Sequence, residues 1–349
     1  MNSEVKQTRP DGPLVSVLIP AYNSGNWIEE TLESVLAQTY PHIEIIVVDD
    51  GSTDNTLEIA RQYEARGVRV YTQPNSGASA ARNHAFRNSR GRYIQYLDAD
   101  DLLAPDKIEQ QMRRFAELGY PQNILISGRF AFFANQPGDH ESENIPLYKD
   151  FPNPLGWIDI AWNQGYYITI HGWLTPRALV EIAGPWNETL SVNDDGEFFG
   201  RVVLVSSAVY YCDNARVYYR KVAGSLSKTV SKSALDSTLQ TAALYEKHLL
   251  AKEDTPQTRT ICANVYMRIL HFHYPEHYPY LLPVEETVKR LGGATIKLMG
   301  NKRVRFMEQW IGWKKTRRLI LFLQKNKLNP RAILKILGIH LRDNKNKYV

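Results

Sequence analysis

Arg92-Tyr-Ile-Gln-Tyr-Leu97 runs directly into Asp98-Ala99-Asp100-Asp101, so a run that reads as a buried strand ends on three carboxylates within four residues. Charges that close repel one another, and the strand end needs a counter-charge. A divalent cation carrying a phosphate group is the natural one. Alternate residues of an extended segment point the same way, so Asp98 and Asp100 can face a common ligand while Asp101 faces elsewhere or begins the next turn. Oxygen ligands of this kind suit Mg2+ or Mn2+, which are usually held by one or two carboxylates plus substrate phosphates. The competing reading is that Asp101 or a neighbour merely caps the helix beginning near Pro105.

Upstream, three more strands end in the same manner. Leu14-Val-Ser-Val-Leu-Ile19 is a brief β-branched run closed by Pro20, with Pro20-Ala21-Tyr22-Asn23 as its exit loop. Trp27 to Gln38 follows with a helical stripe at Ile28, Leu32, Val35 and Leu36. Ile43-Glu-Ile-Ile-Val-Val48 leads into Asp49-Asp50-Gly51-Ser52-Thr53-Asp54, where Gly51 allows a turn and Ser52, Thr53 or Asp54 can cap the next helix. Val68-Arg-Val-Tyr71 leads to Asn75-Ser-Gly77-Ala-Ser79 and a helix carrying Arg82 and Asn83. Four strand–helix cycles with near-continuous apolar strands predict an α/β fold, a mostly parallel sheet with helices on both faces. In such sheets ligands bind at the carboxyl ends of the strands, so the clusters around Asn23, Asp50, Gly77 and Asp98 should converge on one site.

Pro20-Ala-Tyr-Asn23, Asp49-Asp-Gly-Ser-Thr-Asp54, Asn75-Ser-Gly-Ala-Ser-Ala-Ala-Arg-Asn83 and Asp98-Ala-Asp-Asp101 resemble, in order and spacing, the motifs of the family 2 glycosyltransferases. The resemblance covers roughly residues 14 to 110 and extends more loosely to about Ser227. It implies a Rossmann-like GT-A domain over 14–227, with a nucleotide-binding half at 14–110 and an acceptor and catalytic half at 111–227. A flexible N-terminus at 1–13 and a mainly helical, basic region at 228–349 would flank it. By resemblance, Pro20, Ala21, Tyr22 and Asn23 line the nucleotide-sugar site, with Tyr22 against a uracil-like base. Asp50, with Asp49 beside it, accepts hydrogen bonds from base or ribose. Gly77 lets the backbone approach the ligand, and Arg82 offsets diphosphate charge. Asp98 and Ala99 lie at the ribose or metal, and Asp100 is the principal ligand of Mn2+ or Mg2+. Plain packing for Tyr22 and a helix-surface salt bridge for Arg82 are the structural alternatives.

Ser127 to Tyr167 is rich in aromatics, among them Trp157, Trp162, Tyr166 and Tyr167, which suit sugar rings or a core equally and leave acceptor specificity as the segment's expected role. His171-Gly-Trp-Leu-Thr-Pro-Arg177 and Gly184-Pro-Trp-Asn-Glu188 then lead to Asn193-Asp194-Asp195-Gly-Glu-Phe-Phe-Gly-Arg201. This resembles the family's second acidic motif, Glu-Asp with an Arg six residues after the Asp, except that Asp194 stands in place of Glu. The resemblance makes Asp195 the base that deprotonates the acceptor hydroxyl, so that direct attack inverts the anomeric centre. Glu197 is the reserve base, and Trp173, Asp194 and Glu197 are weaker acceptor-side candidates. Alternatively, Asp194 and Asp195 only cap the following helix. Tyr218-Tyr-Arg220 resembles the end of the catalytic domain, where many relatives place a His two residues after the Arg that can touch the metal or diphosphate; here that position is Val222, so either Lys221 supplies charge instead or metal binding is weaker than usual. The Gln-x-x-Arg-Trp signature of processive synthases is absent, so one sugar per encounter is expected.

The 349 residues, 43% of them hydrophobic, are sufficient for a large core. Cys212 and Cys262 are far apart, which fits a reducing compartment and no structural zinc. The first dozen residues hold no apolar core of a secretion signal, and no later run reaches the length of a membrane span, so the expected location is cytoplasmic. The net charge of +5 hides an asymmetry: residues 287–349 carry 17 Lys and Arg against two acids, and the rest carries 25 against 35. Trp310, Trp313 and Leu319-Ile-Leu-Phe-Leu323 interleave with Lys314, Lys315, Arg317 and Arg318. That pattern suits an interfacial helix on an anionic membrane surface, a peripheral location at the cytoplasmic face. A solvated face packed on the catalytic domain remains open, and no nucleic-acid partner is expected because no binding motif accompanies the charge. His271, His273 and His277 lack a carboxylate or Cys pattern that would complete a metal site. The expected partners are a nucleotide-diphosphate sugar, UDP favoured, and a glycan or lipid-linked acceptor. A catalytically silent relative that binds nucleotide sugar or partners is the alternative from another class. A nucleotidyltransferase lacks the basic Gly-rich loop it would need near residue 20.

Overall fold

The structure, a computed structural model, describes residues 12–134, 136–137, 143–221, 231–296 and 302–326. Val222, the Ser225–Ser227 segment, most of the expected flexible N-terminus and the tail beyond residue 326 lie outside the described residues.

The four apolar runs form parallel strands β1 (Val15–Ala21), β2 (Ile43–Asp49), β3 (Val68–Thr72) and β4 (Tyr93–Tyr96), separated by α1 (Ile28–Leu36), α2 (Thr56–Gln62) and α3 (Ala78–Arg87). After β5 (Leu102–Leu103) come α4 (Lys107–Glu117), β6 (Ile124–Phe133), α5 (Pro154–Gln164), β7 (Trp173–Pro176), α6 (Arg177–Ala183), α7 (Asp194–Val205) and β8 (Ala208–Arg220). One eight-stranded sheet results, in the order β3-β2-β1-β4-β7-β6-β8-β5. Only β7 and β5 run against the other strands, so the sheet is mostly parallel as expected. Val15, Val17, Ile19 and Ala21 pack with Ile28, Leu32 and Val35 of α1 and Ile108, Met112 and Phe115 of α4. The alternate residues, Leu18, Ile46 and Val48, are equally buried and face α3.

Pro20 does not end the first strand, which continues to Ala21. The Leu18 carbonyl accepts the Leu97 N–H, so Leu18 and, two residues on, Pro20 turn toward β4. The paired register of β4 stops at Tyr96, so the missing N–H of Pro20 breaks no ladder bond.

At Gly128 the β6–β8 ladder slips: Gly128 pairs with Cys212, and Arg129 pairs with Arg216. The displaced residues press on the glycine, and a Cβ there would lie 2.2 Å from the Ala215 carbonyl oxygen. A second, aromatic core fixes α7, with Trp186 stacked on Phe198 at 4.0 Å and Trp173 stacked on Phe199 at 5.3 Å. Trp157 and Trp162 are buried, whereas Tyr167 is 53% exposed.

The chain divides into two compact units, residues 1–261 and 262–349, later than the 227/228 division read from the sequence. Helix α8 (Lys232–Lys252) belongs to the first unit because it is tied to the loop before α7. Tyr245 stacks on Trp162 at 4.0 Å, and Ser237 Oγ accepts the Ser191 and Val192 N–H groups. Helix α9 (Pro256–His273) straddles the division. The second unit contains α10 (Leu282–Arg290), α11 (Lys302–Ile311) and α12 (Trp313–Lys325). Within it, Lys314 Nζ is 2.8 Å from Glu285 and 2.6 Å from the Tyr278 hydroxyl, and Asn264 Oδ1 accepts the Thr295 and Ile296 N–H groups. Among the described residues no helix is long and apolar enough to cross a membrane.

The crowding at the bulge makes Gly128 a sharp test of this register. Gly128→Ala should lower stability by about 1–3 kcal/mol in urea unfolding, the usual cost of overpacking, whereas a wild-type midpoint would show that β8 can shift freely there.

Candidate functional site

The strand ends are joined pairwise by side chains. Asn23, held at φ +49, accepts the Thr53 N–H with Oδ1 at 2.9 Å, and its own N–H donates to Ser52 Oγ. Asp54 accepts the Gly25 N–H at 3.0 Å, so the loops after β1 and β2 form one rim. Tyr22 stands on that rim, 49% exposed, with its ring available to a flat ligand.

Asp49 and Asp50 are buried. One Asp49 oxygen accepts the Ser52 N–H. Asp50 does more: Oδ1 accepts Gln73 Nε2 at 2.7 Å and the Ser76 N–H at 2.9 Å, while Oδ2 accepts the Gly77 N–H at 2.8 Å. Both oxygens are therefore engaged in holding the loop between β3 and α3. Gly51, at φ +73, lets that loop close, since a Cβ would sit 2.8 Å from the Asn75 nitrogen.

Arg82 on α3 links the two acidic motifs. It is buried, its Nη2 donates to Asp98 Oδ1 at 2.8 Å, and its Nη1 donates to Asp194 Oδ2 at 2.7 Å. Ser79 Oγ donates to the same Asp194 oxygen, and the guanidinium lies over the Trp186 ring at 4.5 Å. Burial works against the charged form, but Asp98 and Asp194 outweigh it and hold the Arg82 pKa above its ordinary value. The acidic loop and the start of α7, almost a hundred residues apart in sequence, thereby share one cation.

On the far side of the acidic loop stands Arg220. Its backbone N–H donates to Asp101 Oδ1, its Nε to the Asp100 carbonyl, and its Nη2 to Glu30. His171 Nδ1 lies 3.1 Å from Asp101 Oδ2. Thr31 Oγ1 donates to the Ala99 carbonyl and fixes the loop from α1. Asp101 is thus a structural anchor, buried and bonded to the Arg220 backbone. Asp100 keeps its carboxylate out of any ion pair among the described residues. Burial, then the charges of Asp101 and Asp98, push its pKa up to about 8.

Asp195, in the first turn of α7, has only the N–H of the next residue, Gly196, on its carboxylate among the described residues. Burial and the neighbouring Asp194 raise its pKa to about 6, partly offset by Gly196 and Arg82. Its charge also acts on Tyr167, whose phenol is raised by partial desolvation and by Asp195. The capping alternative finds no support for Asp194, whose side chain is directed to Arg82 and Ser79.

Two candidates are corrected. Glu197 is buried in a bidentate pair with Arg201, at 2.7 and 2.9 Å, and Arg201 also donates to the carbonyls of Ala183, Gly184 and Pro185. Its carboxylate is committed to fastening α6 to α7 and is not placed to reach an acceptor. Trp173 is 1% exposed, stacked within the aromatic core, and presents no face to a ligand.

Among the described residues no group of three or more His, Cys, Asp or Glu side chains forms a complete metal site. The donor set nevertheless suits a cation that draws its other ligands from substrate: Asp98 has one oxygen on Arg82 and one not so engaged, and Asp100 is an uncompensated carboxylate beside it. Arg220, His171 and Glu30 were not singled out as site residues from the sequence. They lie 119, 70 and 71 positions from Asp101, and the only warning was the excess charge of the acidic loop itself.

Residues 16–179 match the family model described as Glycosyl transferase family 2. TuaG of Bacillus subtilis strain 168, whose name gives it a provisional role in teichuronic acid biosynthesis, is 49% identical over 108 residues, which are 30% of this chain and 43% of TuaG. The uncharacterized glycosyltransferase RT0329 of Rickettsia typhi is 35% identical over 202 residues, 57% of this chain and 61% of the relative. The chain thus spans less than two thirds of these relatives. A crystal structure of S. aureus TarS in complex with UDP-GlcNAc aligns over 91% of this chain and 93% of that one, with a TM-score of 0.66 at 19% identity. This likeness shows the fold, GT-A with an added helical region.

Arg82→Met should destabilise the protein by about 3–5 kcal/mol, because two carboxylates would lose their shared cation, and adding Asp194→Asn should recover part of the loss; additive losses would sever the proposed link. Asp100 gives a signed pH effect. Its folded pKa exceeds the unfolded value, so this group's contribution to stability is full at low pH and falls as pH rises from about 4 to about 8. In cation-free buffer Asp100→Asn should gain on wild type across that window; parallel curves would refute it.

Proposed function

Because residues 16–179 match the family model described as Glycosyl transferase family 2, we propose that the chain transfers a single sugar from a nucleoside-diphosphate sugar to a hydroxyl of a glycan or lipid-linked acceptor. The carrying observation is the Arg82 bridge, which brings the Asp98 side of the site against Asp194 and leaves Asp195 without a side-chain partner among the described residues.

UDP is the favoured nucleotide, since TarS is described with UDP-GlcNAc and with UDP. Tyr22 offers the ring against which the base lies, and Asp49 stays beside it. Asp50 acts through the loop it holds, setting Gly77 where backbone can approach the donor. Asp98 and Asp100 are the residues to hold Mn2+ or Mg2+ with the donor diphosphate, and the cation would supply positive charge opposite the leaving group. Its presence would also relieve the carboxylate crowding that raises Asp100.

Asp195 takes the acceptor proton. With a pKa of about 6 it is mostly ionised at neutral pH and still basic enough to matter. The acceptor oxygen forms its bond to the anomeric carbon as the bond from that carbon to the diphosphate oxygen breaks, and configuration inverts in one displacement. The exposed Tyr167 beside Asp195 gives the acceptor a ring to lie on. We assign the work to the cytoplasmic face of a membrane, where lipid-linked acceptors reside, on the strength of the basic C-terminal region.

A melting panel with UDP, GDP, TDP and CDP, each with Mn2+ or EDTA, tests the donor site. One diphosphate should stabilise wild type only with metal, and Asp100→Ala should abolish the gain. Asp195→Asn should keep that response while transfer falls by about 10²–10⁴-fold, and wild-type kcat/KM should rise with pH through about 6. A folded protein stabilised by none of them would favour a catalytically silent relative.

A further inference from the structure

Within the second unit, the outer face of α12 carries a pattern that the transfer reaction does not use. Lys315, Arg318, Phe322 and Lys325 are all exposed, and their spacing of three, four and three residues puts them on one side of the helix. Thr316 and Leu323, on the opposite side, are buried. The apolar stripe of this helix is therefore already packed, and the helix cannot sink into a bilayer by that stripe. Its outer face is what remains available.

At the N-terminal end of that face the chain turns through Gly312, at φ +77, directly after α11. This exposes Trp310 (77%) and Ile311 (43%) beside the first cation of the row. Phe322 is 58% exposed further along. From Trp313 to Lys325 there are five Lys and Arg and no acid. Lys314 is drawn inward, to Glu285, and Arg317 is half-buried, while Lys315, Arg318 and Lys325 face out.

We propose that this face, Trp310 and Ile311 with Lys315, Arg318, Phe322 and Lys325, is a docking surface for an anionic phospholipid bilayer. It rests on the proposed function only in choosing the cytoplasmic leaflet as the site of work. Charge complementarity selects an anionic partner, and the interleaved apolar groups select among anionic partners. A nucleic acid would neutralise the cations and leave Trp310, Ile311 and Phe322 in water. A lipid headgroup layer takes both, with rings at the headgroup level and cations on the phosphates. The contact is shallow, reversible and salt-sensitive, and each outward cation adds about fivefold to partitioning.

The test is co-sedimentation of the full chain with vesicles of phosphatidylcholine alone or mixed in equal parts with phosphatidylglycerol. The full chain should sediment with the mixed vesicles, not with the neutral ones, and be released by high salt. Lys315→Glu combined with Arg318→Glu should weaken binding at least about twentyfold at an unchanged melting temperature. Phe322→Ser should weaken it at unchanged charge. Equal binding to both vesicles, binding to neither, retention on duplex DNA in their place, or a dimer dissolved by the same substitutions would each overturn the proposal. Should the charge-reversed protein not fold, the two vesicle types still decide it on wild type. The UDP melting response of the same preparations separates the readings: a lost vesicle interaction with that response intact removes the membrane face and leaves the transferase.

Discussion

A single buried guanidinium sets the geometry of the site. Arg82 reaches Asp98 with one nitrogen and Asp194 with another, and Trp186 lies against its face. Burying a guanidinium is costly, and the arrangement persists because two half-buried carboxylates meet it at hydrogen-bond distance. The same bridge fixes the distance between the end of β4 and the start of α7. Arg82 thereby decides where Asp100 and Asp195 stand relative to each other, though it bonds to neither.

The acidic loop is an exercise in unequal neutralisation. Asp98 receives Arg82, Asp101 receives the backbone of Arg220 and lies against the His171 ring, and among the described residues Asp100 receives no ion pair. Three carboxylates of one motif end with three environments, and only the last is left wanting positive charge. At the opposite wall Asp194 is satisfied and Asp195 is not. The site thus presents two uncompensated carboxylates, one suited to a cation and one to a proton.

The sheet was legible from the sequence because its signals are local: brief β-branched runs, an apolar helical stripe, and polar clusters at strand ends. Pro20 misled about the end of β1 because whether a missing N–H matters depends on the neighbouring strand's length, which no local pattern reveals. Trp173 and Glu197 were misread for a related reason. A Trp near an acidic motif can face a sugar or a core, and only the packing of Phe199, or the reach of Arg201, decides. Glu30 escaped notice, and Arg220 was quoted only as marking the end of the catalytic domain, because the contact that gives them meaning joins α1 to the last strand, 190 residues apart.

Asp50 has a consequence for how a ligand is received. Its two oxygens already hold Gln73, Ser76 and Gly77, and Asn23 already holds the neighbouring loop. The rim of the candidate site is held by the protein's own side chains, so little backbone freedom is left to lose on binding. Encounter there has the character of a key entering a cut lock, and selection among ligands falls to a fixed outline rather than to a loop that folds around whichever one arrives.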